Sequence, residues 1–224
     1  MRYIVFLIFF AIGMLTVTAQ SYYSPGNYNR LGLQAKLSVL DIDTQNFNLK
    51  GETGFLGGLT TRGRLYNDFG IVYGIDFLSA NINLQSRPLG ESRLEETRYT
   101  VIGAQLNLLF SYNLIEKHLA IDFGPALLVN GKMNLRQTGQ RDNIVEGYTA
   151  LRAEDIEEIS RINGFGIIGI TAGFEHVRFI IQYQYGFTNM FNNLNDRDLL
   201  DVDPNANNFK GSPSLLAGGI VLYL

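Results

Sequence analysis

Residues 119–135 read LAIDFGPALLVNGKMNL, and this stretch decides the fold. Leu119, Ile121, Phe123, Pro125, Leu127, Val129, Gly131, Met133 and Leu135 occupy the odd positions. Ala120, Asp122, Gly124, Ala126, Leu128, Asn130, Lys132 and Asn134 occupy the even ones. Successive side chains of an extended chain point to opposite sides. A two-residue period therefore describes a strand with one apolar face and one more polar face.

The same alternation recurs along the chain, eight runs in all. Leu31 to Val39 sets Leu31, Leu33, Ala35, Leu37 and Val39 against Gly32, Gln34, Lys36 and Ser38. Phe55 to Leu65 is glycine-rich and weaker. Phe69 to Phe77 sets aromatic and aliphatic residues against Gly70, Val72, Gly74 and Asp76. It is expected to continue through Ala80, Ile82 and Leu84 after a bulge that shifts the phase by one. Tyr99 to Tyr112 carries Thr100, Ile102, Ala104, Leu106, Leu108 and Phe110 on one face. After the 119–135 run come Phe165 to Phe174, Val177 to Phe187 and Leu215 to Leu224.

The connections differ in length. Tyr66-Asn67-Asp68, Asn113 to Lys117 and Glu175-His176 are short, whereas Asp41–Thr53, Gln85–Arg98, Arg136–Asn163 and Thr188–Pro213 are long. Short turns at one end and long loops at the other predict an all-β, eight-stranded, antiparallel up-and-down transmembrane β-barrel. The run lengths match the ~9–11 residues that a tilted spanning strand needs. A closed barrel also satisfies the bilayer's demand that every backbone group be paired within the protein. In lipid the apolar face must be outside. Lys36, Asp76, Gln105, Asn107, Asp122, Lys132, Arg178, Gln182 and Gln184 are then expected inside, and Tyr112, Tyr185 and Phe187 near the interfaces. An even strand number puts both chain ends on the short-turn, periplasmic side.

The first residues agree with export. Arg2 precedes the apolar run Tyr3 to Leu15, and Val17 and Ala19 suit signal-peptidase subsites. The pattern predicts a signal peptide over 1–19 and a barrel domain over 20–224. A retained anchor helix is the competing reading, but the run is shorter than the ~20 residues such a helix needs. The chain has 12 Tyr, 15 Phe and 24 Gly, with 17% charged residues. A soluble domain usually carries about 25%. The chain has no Cys, which excludes disulfide and thiolate chemistry. A net charge of −3 gives no electrostatic footprint for nucleic acid.

The chain resembles the outer-membrane β-barrel proteins of Bacteroidota grouped as porin-family or PorT-like. The likeness rests on Val17-Thr18-Ala19-Gln20, on Leu31-Gly32-Leu33-Gln34-Ala35-Lys36-Leu37, on Gly54 to Gly58, and on Leu216 to Leu224. It spans the whole mature chain as a pattern without a signature motif. In the terminal run the aromatic residue is the penultimate Tyr223, and Leu224 is last. The resemblance implies a support role such as that of PorT in type IX secretion for some members.

Catalysis has little to stand on. Acyl transfer or hydrolysis needs a base beside a nucleophile. His118 and His176 are the histidines, and both fall at short turns, away from the long loops where lipopolysaccharide would be met. The residues imply no enzyme, cofactor or metal site. Lys36, Asp76, Asp122 and Arg178 form the candidate interior polar network. It reads either as filler, since an eight-stranded interior is about wide enough for its own side chains, or as a transport path.

Two loops add candidates. Ala150 to Ile159 has helical propensity, and Ile156 and Ile159 would share a face, for docking or as a solvated cap. Asp201-Val202-Asp203-Pro204-Asn205 is similar to the start of a calcium loop, but Ala206 stands where glycine is expected and Ser212 where glutamate is. A hydrated acidic surface loop is the expectation. The function expected is a non-enzymatic barrel with a structural or partner-binding role, as an accessory subunit of a secretion or envelope-assembly machine. The alternative is a small-solute or ligand-binding channel. The partners expected are outer-membrane lipid, lipopolysaccharide and a larger envelope complex.

Overall fold

The computed structural model describes residues 30–224, so the expected leader lies outside the described residues. The strands are β1 (Arg30–Asp43), β2 (Leu49–Tyr66), β3 (Phe69–Arg87), β4 (Glu95–Ile115), β5 (Leu119–Asn130), β6 (Asn134–Leu135), β7 (Ile144–Val145), β8 (Ile162–Gly173), β9 (Val177–Gly186) and β10 (Ser212–Tyr223). The expected count of eight is corrected to ten, all in one sheet. The two additions, β6 and β7, have two residues each and lie between β5 and β8, β6 within the last residues of the expected 119–135 run and β7 in the third long connection.

The pairing runs full circle. The sheet order is β6-β4-β5-β8-β9-β10-β1-β2-β3-β7, and β3 also pairs with β4. Every long strand therefore has antiparallel partners on both sides, and β1 meets β10 from Gly32↔Tyr223 to Asp43↔Ser212. Such pairing satisfies the backbone donors and acceptors that edge strands would leave open.

The long-loop side departs from expectation. The first two long connections shrink to residues 44–48 and 88–94 because β2, β3 and β4 run on to 18, 19 and 21 residues. The expected phase shift in β3 is absent. Its pairing with β4 is unbroken from Phe69 to Ser86, and the bulge lies in β2, between Glu52 and Phe55. Conversely, β5 stops at Asn130, so Met133 leaves the alternation and is fully buried.

These departures share one cause: the faces exchange character partway up the wall. Outward-facing Leu33, Leu37 and Val39 on β1 give way to Asp41 and Asp43, while inward-facing Gln34, Lys36 and Ser38 give way to Leu40 and Ile42. On β3, outward Tyr73, Ile75 and Phe77 give way to Ser79 and Asn81, while inward Asp76 gives way to Leu78, Ala80, Ile82 and Leu84. The apolar residues of the upper β3 thus keep their phase and point inward, where an apolar core awaits them.

Candidate functional site: the ring interior and its cap

The interior has two storeys. The lower one, toward the short turns, is polar. Asp76 of β3 lies at its centre and is completely buried. Its Oδ2 accepts from Lys36 Nζ at 3.0 Å and Asn107 Nδ2 at 3.0 Å, and its Oδ1 accepts from Gln34 Nε2 at 2.8 Å. Register explains the meeting of Gln34 and Asp76. Both are partnered with Gly58 of β2, from either side, so no side chain stands between them.

Below lies a second network. Arg62 of β2 donates from Nη2 to Asp122 Oδ2 at 2.7 Å, from Nε to the Tyr223 hydroxyl at 3.2 Å, and from Nη1 to Ser111 Oγ. Thr171 donates its hydroxyl to the same Asp122 oxygen. Gln105 and Gln184 bridge another part of the interior at 2.6 Å.

The candidate residues named from sequence fall as follows. Lys36, Asp76, Asp122 and Arg178 are 2%, 0%, 2% and 1% exposed. Lys36 and Asp76 pair with each other, whereas Asp122 pairs with Arg62. Arg62 was missed because the alternation of β2 is blurred by glycine. Its phase with Leu56 and Thr60, both buried, was the available signal. Lys132, expected inside, sits beyond the end of β5 and pairs with Glu157 at 2.5 Å, its side chain 42% exposed. Tyr223 points inward and Leu224 outward, which gives the penultimate aromatic an interior role.

The upper storey is apolar and is made with the loops. Met133, Leu151, Ile156, Ile159, Met190 and Leu194 pack with Leu40, Leu78, Ile82, Tyr99 and Phe165 from the wall in one core. Phe47 of the first loop stacks on Phe209 at 5.4 Å and meets Phe191 edge-on at 5.2 Å. The stretch expected to be helical forms a single turn, Ala153–Ile156. Ile156 and Ile159 face down into this core, so they are neither a solvated cap nor a docking face.

Asp203 ties the last two loops together. Its Oδ2 accepts from the Thr149 amide at 2.6 Å, the Thr149 hydroxyl at 2.8 Å and the Ala150 amide at 2.8 Å. Its Oδ1 accepts from the Asn205 amide at 2.9 Å. The Asp203 side chain is fully buried, which corrects the expected hydration at that one residue; Asp196, Asp198 and Asp201 of the same loop are exposed. Burial alone would raise the Asp203 pKa, but the hydrogen bonds from Asn205, Ala150 and Thr149 outweigh it and hold the carboxyl well below the usual range. An oxygen set occupied by N–H and O–H donors is unsuited to a cation. Burial pushes the nearby Tyr148 hydroxyl up, helped by Asp203 and opposed by its hydrogen bond to Asn46.

Among the described residues no group of three or more His, Cys, Asp or Glu could hold a metal ion. His118 Nδ1 lies 2.9 Å from the Gly173 carbonyl, and His176 Nδ1 lies 3.2 Å from that of Tyr223. Both histidines brace the turn side.

No family model matches the chain, and no curated protein is similar to it. Solved structures are distantly similar. Neisserial surface protein A has a TM-score of 0.47 at 11% identity, over 88% of this chain and 98% of that one. OprG of Pseudomonas aeruginosa has a TM-score of 0.45 at 11% identity, over 89% and 96%. Ail, the attachment invasion locus protein of Yersinia pestis, has a TM-score of 0.41 at 14% identity, over 89% and 100%.

Proposed function

We propose that this chain is an exported outer-membrane β-barrel that is plugged rather than open, and that serves as a partner-binding or structural subunit of an envelope machine. The carrying observation is an apolar belt on the outer wall. All the long strands contribute, with Leu33 and Leu37, Phe55 and Leu59, Tyr73 and Phe77, Leu106 and Leu108, Phe123 and Leu127, Ile168 and Ile170, Phe179 and Ile181, and Leu216 and Ile220 exposed. Such a belt costs free energy in water and is stable in hydrocarbon. Its span on β3, Phe69 to Phe77, suits one hydrocarbon core crossed by tilted strands. No helix among the described residues is long and apolar enough to cross a membrane, so the strands are the crossing elements in this reading.

The reading includes a leader over 1–19, a mature chain from Gln20, periplasmic short turns, contact with lipopolysaccharide above the belt and kinship with the PorT-like group. Intact-mass analysis of the protein from its own envelope tests the leader, since a chain starting at Met1 contradicts it. The buried upper storey supports a role carried by the exterior and loops. Tagged protein purified from its own outer membrane in mild detergent, with co-purifying proteins identified, tests that role. A stoichiometric large partner supports it, and recovery of the barrel alone contradicts it.

One observation favours a second reading, a small-solute channel: the lower storey is lined by charge. Planar-bilayer conductance separates the two, with steady single-channel steps from the full chain favouring the channel.

A further inference from the structure

We infer that the outer wall carries a site for the anionic phosphate headgroup of a membrane lipid, built on Arg98 of β4 and Arg136 just past β6. The site rests on the reading above that the apolar belt faces lipid. Tyr99 is partnered with Leu135 and Thr100 with Asn134, and the Arg136 amide donates to the Arg98 carbonyl at 2.9 Å. Arg98 and Arg136 therefore stand directly opposite each other in an antiparallel pair, with both side chains on one face. Tyr99 is fully buried in the apolar storey, so its neighbours along the strand face outward, and both arginines are exposed.

Like charges opposite each other on a sheet repel. The nearby carboxylates do not cancel this pair. Glu52 and Glu96 both accept from Asn83 Nδ2, at 2.8 and 3.1 Å, and Glu96 lies 3.9 Å from Arg98. Among the described residues the Arg136 side chain has no hydrogen bond or ion pair. Lys50 is partnered with Asn83, which is partnered in turn with Arg98, so an exposed third cation lies in the same cross-strand row. Adjacent strands are ~4.8 Å apart, which lets Arg98 and Arg136 hold one anion between them.

What the wall presents below the arginines selects the ligand. Descending β4 from Arg98, the outward residues change from Thr100 to Ile102 and Leu106, which are 61% and 53% exposed, and Val129 of β5 beside them is 49% exposed. At ~3.3 Å per residue and a strand tilt of ~40°, the arginines stand ~10 Å above Ile102. A guanidinium is a planar fork of N–H donors that matches phosphate oxygens, and its apolar stem can lie along the wall. A lipid whose head is a phosphate monoester meets both surfaces at once. Its head relieves the repulsion between the two arginines, and its acyl chains lie on Ile102, Leu106 and Val129. A soluble anion would leave the apolar surface unused, and a zwitterionic head would leave the positive charge unmatched.

The test refolds the full chain into phosphatidylcholine vesicles, transfers it to detergent micelles with equal amounts of phosphatidic acid and phosphatidylcholine, and reads the retained lipid by native mass spectrometry. Phosphatidic acid is expected to be retained at least ~3-fold over phosphatidylcholine, the scale of two exposed charge pairs. Arg98→Gln with Arg136→Gln is expected to abolish that preference, while Arg93→Gln with Arg141→Gln, which removes the same charge from exposed loop positions, keeps it. No preference in the wild type, or equal loss in the two double variants, overturns the site. Displacement of the phosphatidic acid by an equal concentration of glycerol 3-phosphate overturns a lipid site, because the head alone would then suffice. A chain that fails to insert into the vesicles contradicts the membrane reading itself, whereas one that inserts without a lipid preference contradicts this site alone.

Discussion

Arg62 and Asp122 meet at 2.7 Å although their strands, β2 and β5, are separated in the sheet by β3 and β4. The contact crosses the lumen and ties one wall to another. Both side chains are almost fully buried, at 6% and 2% exposure, so the pair is held in a poorly screened setting.

That geometry predicts unequal single and double variants. Asp122→Leu leaves the Arg62 guanidinium buried without its counter-charge and is expected to cost about 3–5 kcal/mol in denaturant unfolding from lipid vesicles. Arg62→Leu with Asp122→Leu is expected to recover most of that loss. Equal destabilisation by the single and double variants counts against a paired role.

Gly58 is predicted to be intolerant of any side chain. An added Cβ would lie 1.9 Å from the Ile75 carbonyl oxygen, which is backbone and cannot swing aside. It would also press on the gap through which Gln34 reaches Asp76. Gly58→Ala should destabilise the fold by about 1–3 kcal/mol, whereas Gly139→Ala, with open space around it, should be silent in the same unfolding assay.

The belt predicts a depth-dependent penalty for charge. Leu106→Arg, at the middle of the β4 apolar face, should cost about 2–4 kcal/mol when the protein is refolded into bilayers. Asn81→Arg, on the same outer surface but above the belt, should cost about 0–1 kcal/mol. Similar costs at the two positions would place the bilayer elsewhere.

Asp203 makes the cap pH-dependent with a defined sign. Its folded pKa is depressed by the donors of Thr149, Ala150 and Asn205. Its contribution is therefore complete above its unfolded pKa of about 3.9 and declines as pH falls from there toward the folded value. Hydrogen–deuterium exchange of the Thr149 and Ala150 amides should show undiminished protection from pH 7 down to about 5. Asp203→Ala should lower that protection by about 2–3 kcal/mol across pH 5 to 7, the scale of lost bonds to a charged group.

Much of the site was legible before folding. Lys36, Asp76, Asp122 and Arg178 each occupy the polar phase of a clear alternation, and all are buried. Arg62 was not legible, because Gly57, Thr61 and Gly63 interrupt the apolar phase that would have marked its face. Met133 and the upper β3 residues were misassigned for a different reason. Periodicity reports that two faces differ, without saying which medium each one meets.

The sequence alone determined the eight long strands, their antiparallel succession and the short turns, though not the two short strands β6 and β7, because the former follow from a local two-residue period and from turn residues such as Asn67, whose φ is 50°. Tertiary structure decided that Asp122 pairs with Arg62, that Gly58 opens the path from Gln34 to Asp76, and that Asp203 fastens one loop to another. Those choices depend on register and on side chains brought together across a lumen from strands far apart in sequence. Tertiary structure also decided where the wall turns inside out. The apolar residues of the upper strands face inward because the loops fold over the mouth and supply apolar surroundings there.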